Sequence, residues 1–240
     1  MFSIIMPYYN RFKHLSNTLV SFKEHYSDLE YEVLIVEDFK NQMDSVEHIN
    51  LHSLIEEYED DCNIKVISYD KNPCYNPAEM FNIGVEEAKY DRIVLTNPEC
   101  FHESNILKGL ESYSMSDYIV CACASVVKQN QVTSIKDFKS MFHMWYIHSQ
   151  HYPRKLHFCS CISKDNYKAI GGFDEEYLKG IAYEDDDFAL KVEQGKINIV
   201  HADELIVLHQ DHSRQYGNSN YMQLLNVNKA YFNKKWGRND

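Results

Sequence analysis

Four short apolar runs alternate with helix-spaced segments over the first hundred residues, and this alternation constrains the fold more than any other feature. Phe2 to Pro7, Tyr31 to Val36, Ile64 to Ser68 and Arg92 to Thr96 read as buried strands. Between them, Arg11 to Glu24 carries Leu15, Leu19 and Phe22 at helical spacing. Ile49, Leu51, Leu54, Ile55 and Tyr58 mark the apolar side of a second helix, and Asn76 to Ala88 carries Met80, Phe81, Ile83 and Val85 inward. Strand and helix recurring at about 30-residue spacing mean βαβ units on a parallel sheet. The expectation is an α/β protein with a Rossmann-like, mostly parallel sheet flanked by helices. A length of 240 residues suits a single domain with at most a small appendage. Ligands on such sheets sit beyond the carboxyl ends of the strands. The residues there are Tyr8 to Arg11, Glu37 with Asp38, and Asn97 with Glu99, all polar or aromatic.

Composition narrows the partners. A formal charge of −12 argues against a nucleic-acid backbone, whose binding needs clustered Lys and Arg. No run of about 18 apolar residues is present, so no transmembrane helix is expected. The opening MFSIIMPYYN lacks the basic and long apolar regions of a signal peptide. Seven cysteines without a secretion signal suit reduced thiols in a cytoplasmic protein, with a place at the cytoplasmic face of a membrane left open. The pairs Cys121/Cys123 and Cys159/Cys161, the latter near His157, raise the idea of zinc. A one-residue spacing puts both sulfurs on one strand face and is shorter than zinc sites favour, so buried strands are the better account.

The stretch from Gly171 to Val192, GGFDEEYLKGIAYEDDDFALKV, concentrates the chemistry. Two glycines make a tight turn, and Glu184, Asp185, Asp186 and Asp187 open an apolar-periodic helix that stops at Gly195. Acids in a first turn complement the helix dipole by tenths of a kcal/mol each. Four adjacent carboxylates repel one another, however, and two would cap the helix. A cation to bind or a proton to remove explains the run better.

GGFDE followed ten residues later by ED resembles the acceptor-side motif of family 2 glycosyltransferases, enzymes of the GT-A fold. SIIMPYYNR resembles the family's opening strand, LIVED its paired acids, and NPAEMFNIGVEEA the stretch before its metal motif. The resemblance spans about residues 2 to 212. It implies a nucleotide-diphosphate-sugar donor, contacted by Pro7, Tyr9, Arg11, Glu37, Asp38, Asn82 and Asn97. Asn97-Pro98-Glu99 stands where the family has D-x-D, which lowers the charge offered to a divalent cation, Mn²⁺ or Mg²⁺. The resemblance assigns Glu99 to that ion together with His209, which follows the strand-like Leu205 to Leu208, with His212 as its alternative. It makes Asp185 the general base, with Glu184 and Asp186 beside it, and brings Gly172, Phe173 and Asp174 to the acceptor. Trp145 and Tyr146 offer flat faces for a sugar, although aromatics there also suit a core.

The function implied is transfer of a sugar to a glycan or other hydroxyl acceptor, with inversion favoured over the retention that some relatives with similar motifs show. Residues 1–100 would form the donor half of a domain spanning 1–212, residues 101–212 the acceptor half, and 213–240 a helical tail with Leu224, Leu225, Val227 and Tyr231 against the body. Two rivals stand beside this reading. A nucleotidyltransferase would show a glycine-rich basic loop where PYYNRFKHL has no glycine. A noncatalytic carbohydrate-binding descendant would account for the altered metal motif.

Overall fold

Strand β1 (Phe2–Tyr8) is buried along its whole length and forms the axis of the sheet. The computed structural model describes residues 1–41, 46–58, 62–71, 76–126, 142–212 and 220–238. β1 pairs in parallel with β2 (Tyr31–Asp38) on one side and β4 (Arg92–Thr96) on the other, while β3 (Ile64–Tyr69) extends the parallel half beyond β2. Helices α1 (Phe12–Tyr26), α2 (Val46–Glu57) and α3 (Ala78–Glu87) make the crossovers. α1 buries Leu15, Leu19, Phe22 and Tyr26, which recur on one helical stripe. The expected βαβ alternation is present.

Beyond β4 the alternation ends. β5 (Cys100–His102), helix α4 (Ile106–Leu110), β6 (Tyr118–Val126), β7 (Phe142–Ile147), β8 (Cys159–Ser163), helices α5 (Lys164–Ala169) and α6 (Glu184–Gln194), and β9 (Ile199–His209) follow. The order β3-β2-β1-β4-β8-β6-β9-β5, with β7 on β6, makes one mixed sheet of nine strands among the described residues. β8 runs antiparallel to β4, and β5 antiparallel to β9. A single sheet through both halves makes this an α/β single domain. β9 starts six residues before the expected Leu205, because His201, Asp203 and Glu204 hide its first half from an apolar pattern. Its pairing with β6 also jumps in register there.

Two helix faces differ from the apolar pattern. Ile49 on α2 is exposed, and Leu51 and Leu54 carry that helix's buried side. The C-terminal helix α7 runs Tyr221–Trp236; of the expected span, 216–219 lie outside the described residues. α7 buries Asn228 and Phe232, leaves Leu224 and Leu225 half-buried, and exposes Val227. Its docking is polar, which hydrophobic periodicity does not reveal. The cysteines behave as small core residues: Cys62, Cys100, Cys121, Cys123, Cys159 and Cys161 are free and buried.

α3 lies close on the parallel half because Gly84 has no side chain. A Cβ there would fall 2.3 Å from Ile5 Cγ2, in the middle of β1. Gly84→Ala must therefore lift the helix or distort a β-branched core residue, and overpacking of this kind costs about 1–3 kcal/mol. Denaturant unfolding should show that loss in the midpoint. An unchanged midpoint would mean that the helix does not rest on β1 as described.

Candidate active site

The loop after β4 turns at once, with Cys100 N–H donating to the Asn97 carbonyl at 3.0 Å. Thr18 Oγ1 donates to the Pro98 carbonyl at 2.8 Å, which ties the turn to α1. Pairing of Cys100 with His209 then sets Glu99 beside the end of β9. Glu99 Oε1 lies 3.7 Å from His209 Nε2 and 3.6 Å from His212 Nε2, and Glu99 Oε2 lies 3.8 Å from Arg11 Nε. These side chains are nearly closed off: Glu99 and His212 are 12% exposed and His209 5%. Burial alone would raise the Glu99 carboxyl, but the two histidines and Arg11 outweigh it and hold it below the usual carboxylate range. Arg11 also reaches His212 Nδ1 at 3.1 Å.

Glu99, His209 and His212 can each offer one ligand atom, all within 4.8 Å of one another. His212 thus stands equal to His209. Tyr146 and Phe158 wall the His209 ring at centroid distances of 5.2 and 5.1 Å. Of the two aromatics the sequence offered for a sugar, Tyr146 lies at this cluster. Trp145 packs instead with His148 and His151 and against the small cluster of Phe101, Ala124, Val126 and Leu208. Strand alternation sends neighbouring residues to opposite faces, so Trp145 and Tyr146 serve different surroundings.

The acidic run opens α6 from a strained backbone. Ala182 and Tyr183 both have positive φ, 61° and 71°, in the left-handed region that non-glycine residues avoid. The four acids meet four fates. Asp187 is fully buried, and its Oδ1 accepts from Tyr177 Oη at 3.1 Å, Trp236 Nε1 at 2.8 Å and Lys235 Nζ at 2.7 Å. Glu184 is buried beside Asn76, whose Nδ2 donates to it at 3.3 Å. Burial first, and the neighbouring Asp185 charge second, raise the Glu184 carboxyl to about 8. Asp185 is half-buried and accepts from the Asp186 backbone N–H at 2.8 Å. Its burial and the Asp186 charge raise it to about 6. Asp186 is exposed.

The GGFD residues and Asn82 build the platform under this helix. Gly171 and Gly172 take φ of 76° and 54°, and Lys191 Nζ donates to both of their carbonyls. A Cβ on Gly172 would meet Asn82 Oδ1 at 2.6 Å and the Tyr167 ring at 2.8 Å. Asn82 Nδ2 donates to the Phe173 carbonyl and to Glu175, and its Oδ1 accepts from Tyr167 Oη and Phe173 N–H. All four of these hydrogen bonds are internal and make Asn82 a latch on the GGF turn. Phe173 is buried, stacked between Phe81 and Phe188 at 4.8 and 4.4 Å. Asp174 accepts from Glu176 N–H, Tyr231 Oη and Lys235 Nζ. Burial alone would raise it, and these bonds overcome that and lower it. Gly172, Phe173 and Asp174, expected at the acceptor, thus hold the loop that presents the acids.

On the donor side, Pro7 is buried in β1 opposite Val36, and Asn10 turns the chain with φ of 50° between the half-buried Tyr9 and Arg11. Glu37 and Asp38 are both fully buried. Both Glu37 oxygens face His48 Nδ1, at 2.9 and 3.1 Å, so this acid is already committed within the protein. Asn97, half-buried, contributes its carbonyl to the turn.

Parallel β3-β2-β1-β4, the antiparallel continuation and the strand-end clusters make up the GT-A fold of glycosyltransferases. A family model described as glycosyl transferase family 2 matches residues 3–179, and the chain belongs to that family. No curated protein sequence matches the chain. Among solved structures it is similar to S. aureus TarS 1-349, with a TM-score of 0.64 and 16% identity over 97% of this chain and 73% of that one. TarS 1-349 in complex with UDP gives the same TM-score at 16% identity, over 95% and 64%. A mannosyltransferase, PcManGT from Pyrobaculum calidifontis, in complex with GDP-Man and Mn²⁺, gives 0.59 at 14% identity, over 96% and 63%. This chain spans 36% of a longer TarS chain. At such identities the likeness is one of fold, and family membership makes the chain a glycosyltransferase. No helix among the described residues is long and apolar enough to cross a membrane.

The latch role of Asn82 has a direct consequence. Asn82→Ala strands Tyr167 Oη and Phe173 N–H, which should cost about 1–3 kcal/mol of stability. Nucleotide affinity of the folded variant should stay within about two-fold. A fall in nucleotide affinity with an unchanged melting temperature would restore the donor contact that the sequence suggests.

Proposed function

We propose that the chain moves a sugar from a nucleotide-diphosphate-sugar donor to an acceptor hydroxyl, with inversion at the anomeric carbon. The observation that carries this reading is the convergence of Glu99, His209, His212 and Arg11, from three distant stretches of chain, at the carboxyl edge of the sheet. UDP in TarS and GDP-Man with Mn²⁺ in PcManGT support a nucleotide donor and a divalent cation. One carboxylate and two imidazoles fit a transition-metal ion such as Mn²⁺ better than Mg²⁺, which keeps a nearly all-oxygen shell. Such an ion, when bound, neutralises charge growing on the leaving diphosphate. His212 coordinating through Nε2 must carry its proton on Nδ1, so it no longer accepts from Arg11. The Arg11 Nη2 that now faces His212 would then be released to donate to a phosphate oxygen. Tyr9, Asp38 and Asn97 remain the nearby candidates for nucleotide contact.

On the acceptor side Asp185 is the base. Its carboxylate takes the proton of the acceptor hydroxyl as that oxygen attacks the anomeric carbon. The bond from that carbon to the diphosphate oxygen breaks, giving a nucleoside diphosphate and a glycoside of opposite configuration. Glu184, with its raised carboxyl, is protonated at neutral pH and can donate to the acceptor, while Asp186 faces solvent beside it. The donor half at 1–100 and the acceptor half at 101–212 exchange parts: His209 and His212 serve the donor, and Asn76 and Asn82 serve the acceptor loop. Within the tail at 213–240, α7 holds α6 through Lys235 and Trp236 on Asp187. Free buried thiols suit a cytoplasmic enzyme.

Asp185→Asn should lower turnover by about 10²–10⁴-fold and leave donor affinity within a few-fold. Equal turnover in this variant, with loss at Glu184 or Asp186 instead, would move the base along the helix. Because the base must be ionised and Glu184 must keep its proton, wild-type turnover should rise with pH through about 6 and fall again above about 8. Glu99→Gln should weaken Mn²⁺-dependent donor binding at least ten-fold. Chelator-insensitive donor binding by the wild type would remove the metal from the account.

A further inference from the structure

Glu37 closes β2 at the carboxyl edge of the sheet, and its side chain is wholly buried. A buried carboxylate demands compensation. α2 supplies two imidazoles on one face, because His48 and His52 lie four residues apart. Their ring centroids are 4.5 Å apart. His48 Nδ1 is 2.9 Å from Glu37 Oε1, and His52 Nε2 is 3.7 Å from Glu37 Oε2. All three ligand atoms fall within 4.8 Å of one another. Ligand atoms around a tetrahedral ion at about 2.0–2.2 Å stand roughly 3.3–3.6 Å apart, so side-chain adjustments of up to about an ångström would seat one.

One imidazolium would neutralise Glu37. A second ring aimed at the same carboxylate, and set edge-on against the first, adds nothing as a cation because the two charges would repel. As neutral ligands the two rings cooperate. Solvent access fits this role, since the Glu37 side chain is 0% exposed, His48 26% and His52 45%. One side of the cluster is therefore open for an ion to arrive and for a water to complete its shell.

We infer that Glu37, His48 and His52 form a second metal site, separate from Glu99, His209 and His212, for a zinc-class dication with one open position. Two imidazoles and one carboxylate select Zn²⁺ and its late first-row neighbours over Mg²⁺ or Ca²⁺. The ion would cross-link the end of β2 to the first turns of α2. Glu47, adjacent to His48, accepts from Tyr8 Oη at 3.0 Å and from the Phe12 backbone N–H at 3.2 Å. Fixing α2 thus also fixes the turn between β1 and α1 that carries Arg11.

Zn²⁺ alone, without nucleotide, is titrated by calorimetry into metal-free wild type, His52→Gln, His48→Ala/His52→Ala and His212→Ala. Wild type should take two equivalents. Both helix variants should lose one of them, with at least ten-fold weaker binding, while His212→Ala keeps that one. His52→Gln changes only a half-exposed side chain, so the fold survives it. In His212→Ala, zinc at about 100-fold excess over its Kd should raise the melting temperature by about 5–10 °C. Zinc stoichiometry unchanged in the helix variants, or complete loss of zinc in His212→Ala, would overturn the inference. So would a wild type that binds none.

Discussion

Gln210 holds the site together. It is fully buried just past β9, and its backbone N–H donates to the Glu99 carbonyl at 2.9 Å. Its side-chain oxygen accepts from Asn17, and its amide donates to the His14 carbonyl and to Thr18 Oγ1. One residue thus joins α1 through its side chain and the turn after β4 through its backbone to the end of β9. Those are the three segments that bring Arg11, Glu99, His209 and His212 together. Buried amides bonded on every side gain from the low local dielectric and fix one geometry. This network therefore ties the segments that carry the cluster into one arrangement.

The acceptor side solves a problem of repulsion. Four consecutive carboxylates at one helix start cannot all stand ionised in a partly buried place. Lys235, Trp236 and Tyr177 absorb the charge of Asp187, and Glu184 keeps its proton. Asp186 reaches water, and Asp185 stays half-buried with its carboxyl raised to about 6. The same α7 helix holds the strained backbone before α6, because Asn228 Nδ2 donates to the Tyr177 and Ala182 carbonyls at 2.9 Å. Strain at Ala182 and Tyr183 is sustained by a helix that sits at the far end of the sequence.

The parallel half of the fold was legible because buried strands and amphipathic helices write their periods into residues 2 to 96. The antiparallel half was less so. β5 is only three residues long, and β9 carries His201, Asp203 and Glu204 in its first half. Glu99 and His209 could be picked out because each follows a strand end, where ligands gather. His212 became an equal partner only when β9 and the turn after it were in space. Asn82, Gly172, Phe173 and Asp174 were noticed by motif, yet their contacts are internal. A motif marks that a residue type is required, and it does not say whether substrate or backbone requires it. Gln210 and Asn228 gave no signal at all, since a polar residue that satisfies a buried network looks like any surface residue in one dimension.

Anomalous diffraction at the manganese edge, from crystals grown with Mn²⁺ and a nucleoside diphosphate, tests the central claim most directly. The account predicts a manganese peak within bonding distance of Glu99, His209 and His212, with the diphosphate between it and Arg11 and no hydrogen bond left from Arg11 to His212. Manganese and diphosphate bound away from Glu99, with the Arg11 to His212 contact intact, would contradict it.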